Sequence, residues 1–343
     1  MQLTFTVRLL VVNHALPPVS EWAFHLDLWQ FPFQLSGLCA DNGQKVTPFS
    51  SEYFTLVKPF YQLLADAGQK VITAYIKDGA FNKGQTMVKW HEAADGKWSF
   101  DYTGFDKFVA QMMSWGIGRQ ISCFSLVGWN TSIGYTDASG EARTLKLTVG
   151  SDEYRTVWNE FLDSFERHLK TKGWFEKTVL YMDEIREDEM RQVVSFIKQH
   201  NPDWKIGLAG SAVSSDVESA FYDYSTILGY DRTSTNAVAT FYTSCAQSIP
   251  NAYVSLDNNP AEMVWVAWYA KAKGLNGFLR WAYDYWTKAD PQDVRDGNNT
   301  AGDFSLIYRS DNSLSSVPLS SIRLELLREG IQDYEKCASS PPI

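Results

Sequence analysis

Residues 178–200, TVLYMDEIREDEMRQVVSFIKQH, contain one repeat of the pattern that decides the fold. The apolar, β-prone run from Thr178 to Met182 is followed by acidic residues and then by a helical pattern from Glu187 to His200. A short strand followed by a helix is typical of the βα units that build parallel sheets. From about residue 22 onward the rest of the chain repeats this order.

Eight such units can be counted along the chain. The predicted strands are Trp22 to Trp29, Lys70 to Ile76, Arg119 to Val127, Thr178 to Met182, Lys205 to Ala209, Ser225 to Tyr230, Ala239 to Cys245 and Gly277 to Ala282. The predicted helices are Ser51 to Ala67, Thr103 to Trp115, Asp152 to Lys172, Glu187 to His200, Pro260 to Lys273 and Ser320 to Cys337, with weaker helical patterns after the fifth and sixth strands. Eight units are what a closed barrel requires, and closure explains why no strand has the pattern of a polar edge.

The competing architecture is a doubly wound open sheet. Such a sheet normally has a glycine-rich phosphate turn after its first strand, where this chain has LDLWQFPF at residues 26–33. We therefore predict an α/β fold, a (β/α)8 TIM barrel, as a single domain over residues 19–343. Residues 1–18 do not fit the repeat, and we predict that Thr4 to Val12 is a strand left from a preceding β domain.

The composition argues against several classes of partner. The 343 residues include 31 basic and 40 acidic side chains, and a net charge of -9 argues against nucleic acid and anionic membranes, which need a basic face. No apolar run reaches the roughly 18 residues of a spanning helix, and the N-terminal LLVV run lacks the basic leader and cleavage site of a signal peptide. The chain is therefore predicted to be soluble and not inserted in a membrane, while its compartment and oligomeric state stay open.

The sequence lacks the common motifs of metal and nucleophile chemistry. It has no H-E-x-x-H, no paired C-x-x-C, no G-x-S-x-G and no Walker loop, so no cofactor or metal is predicted. The cysteines Cys39, Cys123, Cys245 and Cys337 are far apart and are interpreted as packing residues. The chain is rich in aromatic residues, with 13 Trp and 17 Tyr, and such rings stack on the apolar faces of sugars as well as filling cores.

In a barrel the active site lies at the carboxyl ends of the strands, so the polar and aromatic residues that follow each apolar run are the candidates. These candidates are His25, Asp27 and Trp29; Tyr75 and Lys77; Trp129 and Asn130; Asp183 and Glu184; Tyr230, Asp231 and Tyr242; and Arg280, Trp281, Tyr283, Asp284 and Trp286. The set predicts a site that combines carboxylates with aromatic rings.

The adjacent acids Asp183 and Glu184 are the strongest local signal. Two carboxylates at the end of one strand share a confined volume, which raises the pKa of one of them and lets the pair divide acid and base work. The alternative role is structural, because Asp183 can cap the next helix and Glu184 can complement its dipole. Taken alone, that role is favoured by roughly two to one, and the aromatic residues at the other strand ends shift the balance towards catalysis.

The adjacency of Asp183 and Glu184 in the sequence favours a particular kind of glycoside hydrolysis. Ordinary glycosidases place their two carboxylates about 5 to 9 Å apart across the scissile bond, which adjacent residues do not easily span. Adjacent acids suit substrate-assisted hydrolysis, in which the 2-acetamido oxygen of the sugar attacks the anomeric carbon. One carboxylate then orients the acetamido group, and the other acts first as acid and then as base.

Several blocks of the sequence resemble glycoside hydrolase family 123, the β-N-acetylgalactosaminidases. Each block alone is weak, but their order along residues 22 to 337 is specific. The blocks are FHLDLWQFPF (24–33), LLADAGQKVITAYIKD (63–78), LYMDE (180–184), NGFLRWAYDYW (276–286), DVRDGNNTAGDFSLIY (293–308) and SSIRLELLREGIQDYE (320–335).

The resemblance implies a barrel that removes terminal β-linked N-acetylgalactosamine with retention, from a glycan or a glycolipid. It implies that Asp183 orients the acetamido group and that Glu184 is the acid and base. From their places at or near strand ends we also predict nine substrate-binding residues, for each of which packing at the barrel mouth is the alternative. They are His25, Asp27, Trp29, Tyr75, Tyr242, Trp281, Tyr283, Trp286 and Asp303.

The chain departs from the family pattern in two places. Family members usually carry a β-sandwich domain before the barrel, of which the predicted strand in residues 1–18 would be a remnant. The loop RDGNNTAGD at 295–303 has an Asn pair where an aromatic residue is expected. Two alternatives therefore stay open, a β-N-acetylhexosaminidase of other sugar preference and a non-catalytic glycan-binding barrel.

Overall fold

The computed structural model describes residue 8 and residues 15–78, 85–232, 235–247, 250–251, 258–295 and 301–339. Within these residues the chain forms a barrel of eight parallel strands surrounded by helices. Apart from Arg8, the predicted N-terminal strand Thr4 to Val12 lies outside the described residues, so the boundary at residue 18 stays a prediction.

The eight barrel strands lie side by side in the order of the sequence. They are β1 (His25–Leu28), β2 (Val71–Tyr75), β3 (Gln120–Phe124), β4 (Thr178–Asp183), β5 (Lys205–Gly210), β6 (Asp223–Ile227), β7 (Val238–Tyr242) and β8 (Gly277–Arg280). Strand β8 pairs with β1, where His25 lies opposite Gly277. A parallel bridge between Leu26 and Gln69 joins β1 to the segment before β2 and brings the two ends of the sheet together. The predicted TIM barrel and its eight strands are confirmed.

Helices surround the barrel between the strands. They are α1 (Phe33–Leu38), α2 (Ser51–Asp66), α3 (Thr103–Ser114), α4 (Asp152–Lys172), α5 (Glu187–His200), α6 (Ser215–Glu218), α7 (Ala261–Ala272) and α8 (Ile322–Ser339). All six predicted helices are present, and α4 and α5 have the predicted bounds. The weak helical pattern after the fifth strand forms a single turn, α6. The weak pattern after the sixth strand forms no helix in the described residues between β6 and β7. In the described part of the chain, no helix is both long and apolar enough to cross a bilayer.

Helix α4 shows why some bounds can be predicted from sequence. At its start, the Ser151 hydroxyl accepts a hydrogen bond of 3.1 Å from the backbone N–H of Tyr154. At its end, Gly173 adopts the left-handed conformation with φ of 70°, which stops the helix at low cost because glycine has no Cβ. Local side-chain chemistry thus specifies both ends, independently of the barrel.

An accessory sheet of four strands was not predicted. It consists of two hairpins, one inserted after β2 and the other after β3, with strands Lys89–Glu92, Trp98–Asp101, Ser132–Thr136 and Ala142–Lys146. Trp90 anchors it on the barrel, since its ring stacks on Phe161 of α4 with centroids 4.7 Å apart. Most residues of these strands are half-buried or exposed, so they lack the apolar runs that mark the barrel strands.

The remaining elements are short. Two further antiparallel pairs join Ala40–Asp41 to Gln44–Lys45 and Ile307–Arg309 to Pro318–Ser320. Single 3-10 turns cover Val19–Glu21 and Phe175–Lys177. These elements shape loops around the barrel and leave its topology unchanged.

The four cysteines are all free thiols. Cys39 and Cys123 are buried, as a packing role requires. Cys245 and Cys337 are exposed, so the packing interpretation is wrong for these two.

Replacing Gly277 by Ala is expected to destabilise the protein by about 3 kcal/mol or more. A Cβ at this position would collide with the backbone of His25 on β1, and neither strand can move without opening the barrel. Urea denaturation followed by circular dichroism measures the change in the free energy of unfolding.

Gly37 on α1 provides the matched control, because a Cβ there meets no atom within 4 Å. Gly37→Ala should stay within about 0.5 kcal/mol of the parent protein. A Gly277→Ala variant as stable as Gly37→Ala would show that β1 and β8 do not pack as described.

Candidate active site

A cavity of about 460 Å³ opens at the carboxyl end of the barrel. Its volume falls in the range of about 300–1,000 Å³ that is usual for small-molecule sites. Strand ends and the loops that follow them supply its lining. The lining residues are Trp29, Trp129, Asp183, Glu184, Ala209, Tyr242, Ser244, Cys245, Ala246, Leu279, Trp281, Tyr285, Thr287, Asp303 and Phe304.

A left-handed residue brings the two adjacent acids together. Successive side chains of an extended strand point to opposite faces, so Asp183 at the end of β4 and its neighbour Glu184 would normally face apart. Glu184 instead adopts a φ of 50°, which breaks this alternation, and both carboxylates line the cavity. The conformation costs roughly 1–2 kcal/mol for a residue with a Cβ. A hydrogen bond of 2.8 Å from the Glu184 N–H to the Ala209 carbonyl on β5 helps to hold it.

The two acids differ in their exposure. Asp183 is half-buried, whereas Glu184 is exposed at the opening of the cavity. Loss of solvation, and secondly the charge of Glu184, raise the pKa of Asp183 well above the usual value of an aspartate. Asp183 therefore holds a proton more tightly than an ordinary aspartate does.

Two aromatic side chains contact the pair through their polar atoms. The Tyr242 hydroxyl donates a hydrogen bond of 3.2 Å to a carboxylate oxygen of Glu184. Burial, and secondly the charge of Glu184, raise the pKa of Tyr242, so this hydroxyl remains a donor. The Trp129 indole N–H donates to the backbone carbonyl of Asp183 at 3.2 Å. The position of each acid is thus supported by a neighbouring ring.

Aromatic rings form much of the remaining surface of the cavity. Trp281 meets Phe304 edge to face with centroids 4.8 Å apart, and Tyr285 lies 5.6 Å from Trp281. Trp29 packs edge to face on Phe124, 4.9 Å away. Such flat apolar surfaces beside carboxylates suit a sugar, which combines apolar ring faces with hydroxyl groups.

A buried arginine fixes the opposite side of the cavity. Arg280, at the end of β8, donates to the backbone carbonyls of Thr243 and Asp303 at 2.7 Å each. It also forms an ion pair with the Asp303 carboxylate, and both side chains are almost completely buried. Arg323 of α8 holds the same segment, since it donates to the carbonyl of Gly302 and, at 2.6 Å, to that of Ser305. The two arginines therefore determine where the segment lies.

The cavity brings together six of the eleven predicted site residues. Two are the acids predicted to be catalytic, and four are predicted substrate contacts that come from three different parts of the chain. These six are Trp29, Asp183, Glu184, Tyr242, Trp281 and Asp303. Their roles remain a matter for proposal.

His25 and Asp27 are buried and lie outside the cavity lining, so the structure does not bring them together with the other predicted site residues, and their contact with substrate stays a prediction. His25 begins β1 at the amino end, and burial, followed by the charges of Arg119 and Lys70, lowers its pKa to about 3. Asp27 is 1% exposed, and burial raises its pKa well above the usual value. Inward side chains fill the interior of a barrel in layers, so in the β1 segment Trp29 reaches the cavity and the earlier residues do not.

Tyr75, Tyr283 and Trp286 also lie outside the cavity lining. The Tyr75 hydroxyl donates to the Gln30 carbonyl at 2.9 Å, and the Tyr283 hydroxyl donates to a carbonyl of α2 at 2.8 Å. The Trp286 indole N–H donates to the Ile307 carbonyl, also at 2.8 Å. All three side chains are buried, so their polar atoms serve the packing of the barrel mouth.

Several lining residues are absent from the predicted substrate contacts. Trp129 is one of the strand-end candidates, but Tyr285 and Phe304 belong to neither set. In the run Tyr283 to Trp286 the chain leaves the strand, and sequence alone does not indicate which aromatic side chain turns towards the cavity. Among the described residues, no three His, Cys, Asp or Glu side chains are grouped as a metal site requires.

Comparisons with solved structures include a relative of similar fold and sequence. A family 123 glycoside hydrolase from Clostridium perfringens, studied for glycolipid glycan hydrolysis, has a TM-score of 0.86 and 28% sequence identity. The match covers 96% of this chain and 61% of that one, so this chain spans less than two thirds of the relative's length. A noncanonic maltogenic alpha-amylase from Thermotoga neapolitana has a TM-score of 0.46 and 10% identity over 91% of this chain and 76% of that one, which supports no conclusion. No curated protein matches the sequence.

The family comparison agrees with the structural one. The family described as Glycoside hydrolase 123, catalytic domain, matches residues 35–339, which is nearly the whole chain. With the barrel, the acids at the end of β4 and the structural relative, this match shows that the chain belongs to glycoside hydrolase family 123.

Proposed function

We propose that the protein is a retaining exo-β-N-acetylgalactosaminidase in which the 2-acetamido group of the substrate is the nucleophile. The observation that supports this most is that Asp183 and Glu184, adjacent in sequence, line one aromatic cavity. A protein nucleophile and an acid must flank the scissile bond about 5–5.5 Å apart. Neighbouring residues on one strand end suit a mechanism in which the substrate supplies the nucleophile.

The reaction proceeds in two steps at the anomeric carbon, C1. First, the acetamido carbonyl oxygen bonds to C1 while the bond from C1 to the leaving oxygen breaks, and Glu184 gives its proton to that oxygen. The product of this step is a cyclic oxazolinium ion, which keeps its N–H proton and is paired with the ionised Asp183. Glu184 then takes a proton from water as the water oxygen bonds to C1 and the ring reopens. Two successive inversions retain the configuration.

The difference in exposure supports the assignment of the two roles. The leaving group departs towards solvent, and Glu184 is the exposed acid, so it is placed to protonate the leaving oxygen. The acetamido arm folds beneath the sugar ring, where the half-buried Asp183 accepts a hydrogen bond from its N–H. Asp183 in its ionised form also stabilises the positive charge that develops on the acetamido group.

The cavity suits the end of a glycan. Trp29 and Leu279, which are 2% and 1% exposed, line its inner end, so a sugar bound there is a terminal one. The clostridial relative is described in connection with glycolipid glycan hydrolysis, which supports a β-linked N-acetylgalactosaminyl glycan or glycolipid as the substrate class.

The first prediction concerns sugar specificity. Folded protein is expected to release nitrophenol from nitrophenyl β-N-acetylgalactosaminide faster than from its glucosamine epimer, as measured by absorbance. A preference for the epimer would indicate a hexosaminidase of other specificity. Binding of N-acetylgalactosamine without release from either compound would indicate a glycan-binding barrel and would reject the proposed activity.

A second prediction separates the roles of the two acids. Glu184→Gln should lower kcat/KM by about 10²–10⁴-fold on substrates with poor leaving groups. The loss should be much smaller when the leaving group is good, because departure then needs no proton. Asp183→Asn should lower kcat/KM strongly, and by the same factor for substrates with good and with poor leaving groups. A series of aryl and alkyl glycosides measures both dependences.

Asp188→Asn is the matched control for this pair. Asp188 is an exposed acid in the first turn of α5 and lies outside the cavity lining, so its loss should leave kcat/KM unchanged. If Asp183→Asn, and not Glu184→Gln, showed the leaving-group dependence, the two roles would have to be exchanged.

A third prediction concerns pH. Because the pKa of Asp183 is raised, kcat/KM should fall on acidification at a higher pH than an ordinary aspartate would give. The charge of Glu184 is one cause of this shift, so Glu184→Gln should move the acidic limb to lower pH. A nitrophenyl substrate keeps both proteins measurable. An acidic limb at the same pH in both would be incompatible with an electrostatically coupled pair.

A further inference from the structure

Trp129 differs from the other rings of the cavity in its exposure. It is 64% exposed at the rim, whereas Trp29 is 2% exposed and Tyr242 is 6% exposed. Exposing a large aromatic ring to water is unfavourable, and in a cavity lining such a ring often marks a contact surface for a ligand. A terminal sugar at the inner end of the cavity leaves this outer ring uncovered.

The ring lies beside the acid that acts on the leaving group. Its indole N–H donates to the Asp183 carbonyl, which belongs to the peptide that joins Asp183 to Glu184. In the proposed function the leaving oxygen lies at Glu184, so whatever is attached to that oxygen passes close to Trp129. The geometry therefore places Trp129 on the leaving-group side of the bond.

A buried lysine holds the loop that carries this ring. Lys77 is 1% exposed, and its ammonium donates to the backbone carbonyls of Asp78 at 2.9 Å, Asn130 at 2.8 Å and Ser132 at 3.2 Å. It thereby joins the loop after β2 to the loop after β3. A second contact joins the same two loops, because the Asp78 carboxylate accepts a hydrogen bond of 2.9 Å from the Gly134 N–H. Asn130 is the next residue after Trp129, so the hydrogen bond from Lys77 restrains the backbone directly beside the Trp129 ring.

We propose that Trp129 is a stacking platform for the sugar unit that follows the scissile bond, and that Lys77 is a positioning residue for this platform. This inference rests on the proposed function and adds to it the chemistry of the leaving group. The single polar atom of an indole is its N–H, which Asp183 already engages. The exposed face therefore recognises the apolar C–H face of an uncharged pyranose ring.

The test compares two substrates with alkyl leaving groups. One is a disaccharide with N-acetylgalactosamine β-linked to galactose, and the other is methyl β-N-acetylgalactosaminide, which has no second ring. Trp129→Ala should lower kcat/KM for the disaccharide about tenfold more than kcat/KM for the methyl glycoside, because both substrates share any loss that follows from the missing hydrogen bond to Asp183. Trp129→Phe, which keeps a flat ring, should retain most of the preference for the disaccharide. Aryl glycosides are avoided because their own ring can stack.

Changes at Lys77 test the positioning role. Lys77→Met removes the donors to three carbonyls and should lower the preference for the disaccharide as Trp129→Ala does, whereas Lys77→Arg should keep more of it. A thermal melt accompanies each variant, since a purely structural role would lower Tm without changing the ratio of the two substrates. Trp268→Ala is the matched control, because Trp268 is 51% exposed on α7 and lies outside the cavity lining.

Binding provides a readout that does not need turnover. In the Glu184→Gln background, calorimetry should show that the disaccharide binds more tightly than free N-acetylgalactosamine and that Trp129→Ala removes the difference. Equal losses on both substrates, or a disaccharide that gains nothing over the monosaccharide, would overturn the platform while leaving the proposed activity intact. An absence of turnover and binding with every N-acetylgalactosaminide would reject both.

Discussion

The backbone conformation of Glu184 is the constraint on which the site depends. An extended strand cannot present two consecutive side chains to one cavity, so the chain must turn at this residue. The turn is unfavourable for any residue with a Cβ, and contacts from two other strands offset the cost. Strand β5 accepts the Glu184 N–H through Ala209, and Tyr242 at the end of β7 donates to the Glu184 carboxylate. Only a closed arrangement of strands brings these elements around the end of β4.

The barrel interior below this site is polar but favours neutral groups. Burial lowers the pKa of His25 to about 3 and raises that of Asp223 to about 7. Burial, and secondly the charge of Asp223, raise the pKa of Asp27. Each shift favours the uncharged form, as expected for groups removed from water. The exposed carboxylate of the cavity, that of Glu184, lies instead at the carboxyl end, next to solvent.

The sequence predicted the elements better than the directions of their side chains. Helix α4 could be bounded because Ser151 and Gly173 act locally, and the barrel strands could be counted because their buried runs are continuous. The adjacency of Asp183 and Glu184 could be recognised because it is a property of the sequence itself. The burial of Asp27 could not be predicted, because the direction of its side chain depends on the register of β1 in the closed sheet and not on the local sequence. The accessory sheet was missed because its stability depends on Trp90 packing against the distant Phe161.

The segment that faces the acids across the cavity is secured in an unusual way. Arg280 and Arg323 bind it largely through the carbonyl groups of Gly302, Asp303 and Ser305, which every amino acid possesses. Gly302 is constrained by its φ of 89° and by the nearby Arg323 guanidinium, but the side chain of Phe304 is not needed to define the path. Substitution of Phe304 can thus change the lining of the cavity while the main chain stays in place. A change of substrate specificity within one fold needs a cavity-lining side chain that can be replaced and a main chain that keeps its position.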